Sequence, residues 1–172
     1  MVQAFIEALA CEGPNPIIPA QHDLFGQFVG SWDFEWVRGM GTPDERRAIG
    51  EWLFARVLNG TAVQDVFIVP SRTENAINPQ PDAEYGTTIR IYNPVDETWD
   101  IFYGATGEMV RLNAVKENEK IVLTEITGKQ MKWVFSEITD DNFHWQHLKT
   151  NDRGRTWYTH IDIFAKRKKS AV

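Results

Sequence analysis

Gly30-Ser31-Trp32 constrains this chain more than any other triplet. It ends a short apolar helical stretch and opens the first of about ten strand-like runs. Glycine permits a tight turn at that point. An indole placed just after it, at the start of an all-β meander, can plug one open end. A plugged meander is a barrel with an interior, so the question becomes which side chains face inward.

The period changes at this triplet. Upstream, residues 2–10 carry Phe5, Ile6 and Leu9 at helical spacing, and Gly13-Pro14-Asn15-Pro16 stops that helix. A second short helix is expected over residues 22–29, with Leu24, Phe25 and Phe28 inward and Gly30 as its stop. Downstream, Trp32, Phe34 and Trp36 alternate with Asp33, Glu35 and Val37, which is strand spacing. Strands are then expected at 47–58 and 61–69, joined by Asn59-Gly60, the strongest hairpin signal present. Residues 71–84 are polar and proline-bearing, and form the longest loop, a candidate lid or dimer contact. Seven further strands follow at about 86–92, 98–104, 108–116, 120–127, 131–138, 143–149 and 156–166. Their connectors leave no room for crossover helices, so neighbours pair antiparallel. The fold class is therefore all-β, an antiparallel up-and-down barrel of about ten strands with short N-terminal helices closing one end. A two-sheet sandwich is the alternative. Three regions result: an N-terminal extension with a short helix at 1–21, the barrel domain at 22–167, and a basic tail at 168–172.

Composition narrows the function. The formal net charge is −6 and the basic run is confined to the C-terminus, so no nucleic-acid partner is expected. Cys11 is the single cysteine, which excludes a disulfide framework or a cysteine metal cluster. No segment approaches a membrane span and the N-terminus lacks a signal pattern, so a cytoplasmic location without a membrane partner is expected. A homodimer is compatible with all of this.

With the strands in place, the chain resembles the lipocalin-like, or calycin, superfamily. Those barrels share a Gly-x-Trp on the first strand, preceded by a short helix, and an Arg or Lys from the last strand packing over the Trp. The resemblance casts Trp32 and Arg167 as the structural plug, with Arg167 preferred over Lys166 because it alternates with Ile161, Ile163 and Ala165. More closely, the chain is similar to a group of small bacterial lipocalin-like proteins. That similarity is carried by Ala62-Val63-Gln64-Asp65-Val66, Gly86-Thr87-Thr88-Ile89-Arg90-Ile91-Tyr92-Asn93-Pro94, Trp133 to Thr139, Phe143-His144-Trp145 and Gly154-Arg155-Thr156-Trp157. The group supplies a fold and no activity that could be transferred. The related haem-binding nitrobindin type keeps a His near its last strand, where His160 lies. Its other glycine-rich signatures are missing here, so no cofactor is expected.

Aromatics form 12% of the chain, and Trp52, Trp133 and Trp145 are expected to line a ligand pocket with Tyr92 and Tyr103. Gln64 and Asp65 interrupt an apolar strand, so one of them faces inward; alternation does not choose between them. Arg90 and Arg111 each lie between apolar neighbours, and an inward Arg could anchor an acidic group. Glu125 could pair with Arg90 or act as a base. His144, between Phe143 and Trp145, is the preferred histidine for cavity chemistry. His147 falls on the opposite face of that strand, and no metal-ligand spacing is present.

Three functions compete. The first is a binding module holding a small, mostly apolar ligand with one polar or acidic group. The second is a cofactor-free isomerase, cyclase or lyase. It would use Glu125 or Asp65 with His144 as acid and base, helped by Arg90 or Tyr103. The third is a fully packed structural or dimerising barrel. No serine-hydrolase elbow or phosphate-cradling glycine loop is present.

Overall fold

Alternating apolar residues and short turns generate eleven strands in the structure, a computed structural model that describes residues 1–169. They are β1 (Ala10–Cys11), β2 (Gly30–Arg38), β3 (Arg46–Val57), β4 (Ala62–Val69), β5 (Glu84–Asn93), β6 (Thr98–Ala105), β7 (Glu108–Glu117), β8 (Lys120–Glu125), β9 (Met131–Ser136), β10 (Asn142–Lys149) and β11 (Tyr158–Arg167). From β2 onward each strand pairs antiparallel with the next, and β11 returns to pair with β2. Ten strands therefore close into a barrel, which leaves no long open edge. The short β1 extends the sheet along β3, with Ala10 opposite Val57 and Cys11 opposite Arg56.

The inward faces carry the core. Trp32, Phe34, Trp52, Phe54, Phe67, Trp99, Ile101, Leu112, Leu123, Phe135, Phe143 and Ile163 are all buried in one cluster. Phe25 and Phe28 enter that cluster from below and seal the base. Phe28 lies against Trp32, Phe54, Phe135 and Phe143 at ring separations of 4.8–6.5 Å.

Gly30-Ser31-Trp32 does plug the barrel. Trp32 is 1% exposed and its indole donates to the Phe28 carbonyl at 2.7 Å. The Arg167 guanidinium stacks 4.1 Å from the Trp32 ring and donates to the carbonyls of Val29, Gln27 and Asp140. Gly30 adopts φ +128, and a Cβ there would come within 2.8 Å of the Arg167 guanidinium. Only glycine fits that conformation and that space.

The helical segments differ from the periodic reading. The expected first helix forms as α1 (Val2–Leu9), yet it buries no residue; Phe5 is 63% exposed. The expected second helix is instead two 3-10 turns, Ala20–His22 and Gly26–Phe28. Between them Asp23 forms a two-point ion pair with Arg56 of β3 at 3.1 and 2.5 Å, which pins the segment flat across the base. Residues 71–84 hold a short helix, α2 (Arg72–Ile77), capped by the Ser71 hydroxyl. Arg72 ties it to Glu51 of β3 through the side chain at 2.7 Å. At the C-terminus Lys168 continues past β11, with its amide donating to Ser31 and its ammonium 2.8 Å from Asp33. Residues 170–172 of the expected tail lie outside the described residues.

Candidate functional site

Opposite the plug, the barrel encloses a cavity of about 260 Å³. Every strand whose inward side chains reach that end contributes, and the lining is mostly apolar, led by the rings of Trp36, Trp52, Phe67, Tyr103, Trp133 and Trp145. Polar groups enter from the rim. Glu84 (β5) and Glu108 (β7) stand on one wall, and His147 and Lys149 (β10) with His160 (β11) on the other.

Two local devices shape this chamber. The first is Gly86 on β5. A Cβ there would lie 2.6 Å from the Tyr103 hydroxyl, so glycine lets the Tyr103 ring lie flat on the strand. In that position its hydroxyl donates to Glu84. Burial pushes the Glu84 carboxyl above its ordinary range, and nearby Glu108 adds to this against the Tyr103 hydrogen bond. Burial and the Glu84 contact push the Tyr103 hydroxyl up as well, so it stays a donor at neutral pH.

The second device is a bulge. Between β10 and β11 the register slips at His147, so that His160 and Ile161 together face one residue of β10. Strict alternation would send only one of them inward, whereas here both line the cavity. His147 and His160 meet edge to face at 5.5 Å. Burial pushes the His147 imidazole down to about 4, with Lys149 and His160 adding to the effect. His160 is lowered too, by burial and by the charges of Lys149 and Arg38. Both rings are therefore neutral at pH 7. Among the described residues no group of three His, Cys, Asp or Glu side chains is arranged to hold a metal ion.

The expected site residues divide into three sets. Trp52, Trp133, Trp145 and Tyr103 do line the chamber. Asp65, Arg90 and Tyr92 face inward but sit lower. Arg90 is 1% exposed, donates to Asp65 at 2.6 Å and lies 5.1 and 5.2 Å from the Phe25 and Phe54 rings. Asp65 also accepts from the Thr88 amide at 2.9 Å. Tyr92 is a floor residue, its hydroxyl 3.0 Å from His22 Nδ1.

The third set misses the interior. Gln64 faces outward, where it donates to Thr87, so Asp65 is the inward member of that pair. Arg111 lies on the outer wall over Phe102. His144 is outside too, bonded to Asp162 at 2.8 Å and stacked on Phe164. Glu125 starts inward, but its carboxylate turns to accept the amides of Thr127 and Lys129 at 2.7 Å each, together with the Thr127 hydroxyl. Burial pushes its carboxyl up, and those hydrogen bonds outweigh burial and hold it below its ordinary value. It caps a turn and does not meet Arg90, whose partner is Asp65. No acid/base pair of Glu125 or Asp65 with His144 forms in the lumen.

Sequence reasoning passed over Glu84, Glu108 and His147. His147 was readable, because it shares one strand face with Phe143 and Trp145 while His144 lies on the other. Glu84 was hidden at the end of the polar loop, although it alternates with Gly86, Thr88, Arg90 and Tyr92. A second groove, of about 530 Å³, runs under α2 and shares Trp36 and Glu84 with the chamber; Arg38, Arg46 and Arg47 line it.

No family model matches the chain, and no curated protein matches it. Among solved structures it is similar to Rv2717c from M. tuberculosis, with a TM-score of 0.57 and 12% identity over 91% of this chain and 99% of that one. At that identity the likeness shows the shared barrel fold and nothing of its chemistry.

Proposed function

We propose that this chain is a lipocalin-like binding protein that holds a small, mostly apolar molecule in the upper half of its barrel. The observation that carries the reading is the aromatic chamber of about 260 Å³ facing the end that the plug leaves open. A packed structural barrel would fill that space, and ligand sites of ~300–1,000 Å³ with apolar walls and few polar groups are the usual pattern. At about 260 Å³ the chamber lies just below that range, which points to a small guest. Binding is favoured over acid/base catalysis because Asp65 is held by Arg90 and Thr88, and Glu125 by its own turn.

The chamber Trp residues report on its contents. Titrating the protein with small bicyclic hydrocarbons should shift or quench Trp emission and raise the melting temperature, since a ligand at 100 times its Kd adds ~2.7 kcal/mol. Unchanged emission and melting temperature across the panel would refute the reading.

A further inference from the structure

We infer that the molecule in the chamber is an uncharged ring compound whose polar atom is a hydrogen-bond acceptor, such as a ketone oxygen, received by the indole N–H groups of Trp52 and Trp133. This rests on the binding reading above and names the ligand class. The chain treats its indoles in two ways. In the floor, Trp32 donates to Phe28 at 2.7 Å and Trp99 donates to His22 at 2.8 Å. Among the residues that line the chamber, Trp52 and Trp133 have buried Nε1 atoms that find no acceptor among the described residues. An indole N–H donates only, so what would complete it is an acceptor. Phe in either position would fill nearly the same apolar space without leaving a donor unmatched.

The two indoles share a packing partner. Both pack on Trp145, at ring separations of 6.1 and 5.6 Å. His147 adds a third buried nitrogen without a protein partner, Nε2, and its ring is 6.5 Å from that of Trp133. Charge argues for a neutral guest. Glu84 and Glu108 stand on one wall and Lys149 on the other, so a guest of either charge would meet a like charge. Size argues for a bicyclic one. At ~30 Å³ per water, the cavity holds roughly nine waters, which corresponds to a guest of roughly a dozen non-hydrogen atoms.

Calorimetric titration with three probes on one skeleton tests this: 1-tetralone, tetralin and tetralin-1-carboxylate. The ketone should bind about tenfold more tightly than the hydrocarbon, the worth of one buried hydrogen bond. Trp52→Phe and Trp133→Phe should each lower the affinity for the ketone more than that for tetralin. The wild-type comparison needs no variant, and the indole proton resonances of Trp52 and Trp133 should move downfield with the ketone alone. Equal affinity for ketone and hydrocarbon overturns the inference while leaving the binding reading intact. Tightest binding by the carboxylate also overturns it, since the polar contact would then be Lys149. Failure of all three to bind overturns both readings.

Discussion

Replacing Asp65 with Ala should be among the most damaging single changes in this barrel. The Asp65 and Arg90 side chains are 0% and 1% exposed and meet at 2.6 Å. Removing the carboxylate leaves a guanidinium in the core whose Nε and Nη1 already lack partners among the described residues. Losing one member of a buried ion pair typically costs ~3–5 kcal/mol. The Thr88 amide loses its acceptor as well, worth ~1 kcal/mol more. The Phe25 and Phe54 rings lie beside Arg90 with or without Asp65, so their contact with the cation cancels from the difference. The net expectation is a loss of ~4–6 kcal/mol, or ~8–24 °C in melting temperature for a chain of this length. Urea denaturation followed by Trp fluorescence and far-UV circular dichroism measures it. Arg90→Met should also destabilise, and the double variant Asp65→Ala/Arg90→Met should be more stable than either single one, because both charges leave together. A loss under ~1 kcal/mol for Asp65→Ala, or strictly additive losses in the double variant, would refute the argument.

Arg167→Ala removes the donor that serves three carbonyls and the cation over Trp32; a loss of ~2–3 kcal/mol is expected in the same denaturation assay. Arg167→Lys should restore only a minor part, since an ammonium cannot span three acceptors in one plane. Gly86→Ala should displace the Tyr103 ring, separate its hydroxyl from Glu84 and weaken probe binding, read by Trp emission. Acidification should destabilise the fold through His147. The folded protein resists protonating this ring until about pH 4, while the unfolded chain protonates near its ordinary value of 6.5. Stability is thus fully present above 6.5 and declines as pH falls from 6.5 toward 4, by no more than ~1.4 kcal/mol per pH unit. His147→Gln should flatten that part of the pH profile, as measured by denaturation midpoints at pH 7 and 5.

The strands were legible because their physics is local. Alternation at Trp32-Asp33-Phe34-Glu35-Trp36 and turn chemistry at Asn59-Gly60 need no distant partner. The helical segments were less so. Residues 22–29 have a helical apolar pattern, but their conformation is set by Arg56, a β3 residue that captures Asp23. Facing was ambiguous wherever two polar residues were adjacent, as in Gln64-Asp65, since either phase of the strand was self-consistent. The candidate site was partly hidden for a further reason. His160 enters the chamber through a bulge, which is a property of two strands in register and leaves no mark in either alone. Choosing His144 for its aromatic neighbours overlooked that adjacent residues on a strand point to opposite sides.

The seam between β2 and β11 sets the order in which this molecule can be completed. Arg167 bonds to Val29, 138 positions earlier in the chain. At a synthesis rate of ~5–20 residues per second, Trp32 leaves the ribosome roughly 7–27 s before the residue that covers it. Through that interval β2 has no partner on one side, and the meander growing behind it remains an open sheet with its aromatic lining uncovered. The last strand thus acts as a closing stave, and the vulnerable period of this protein's life is its own translation.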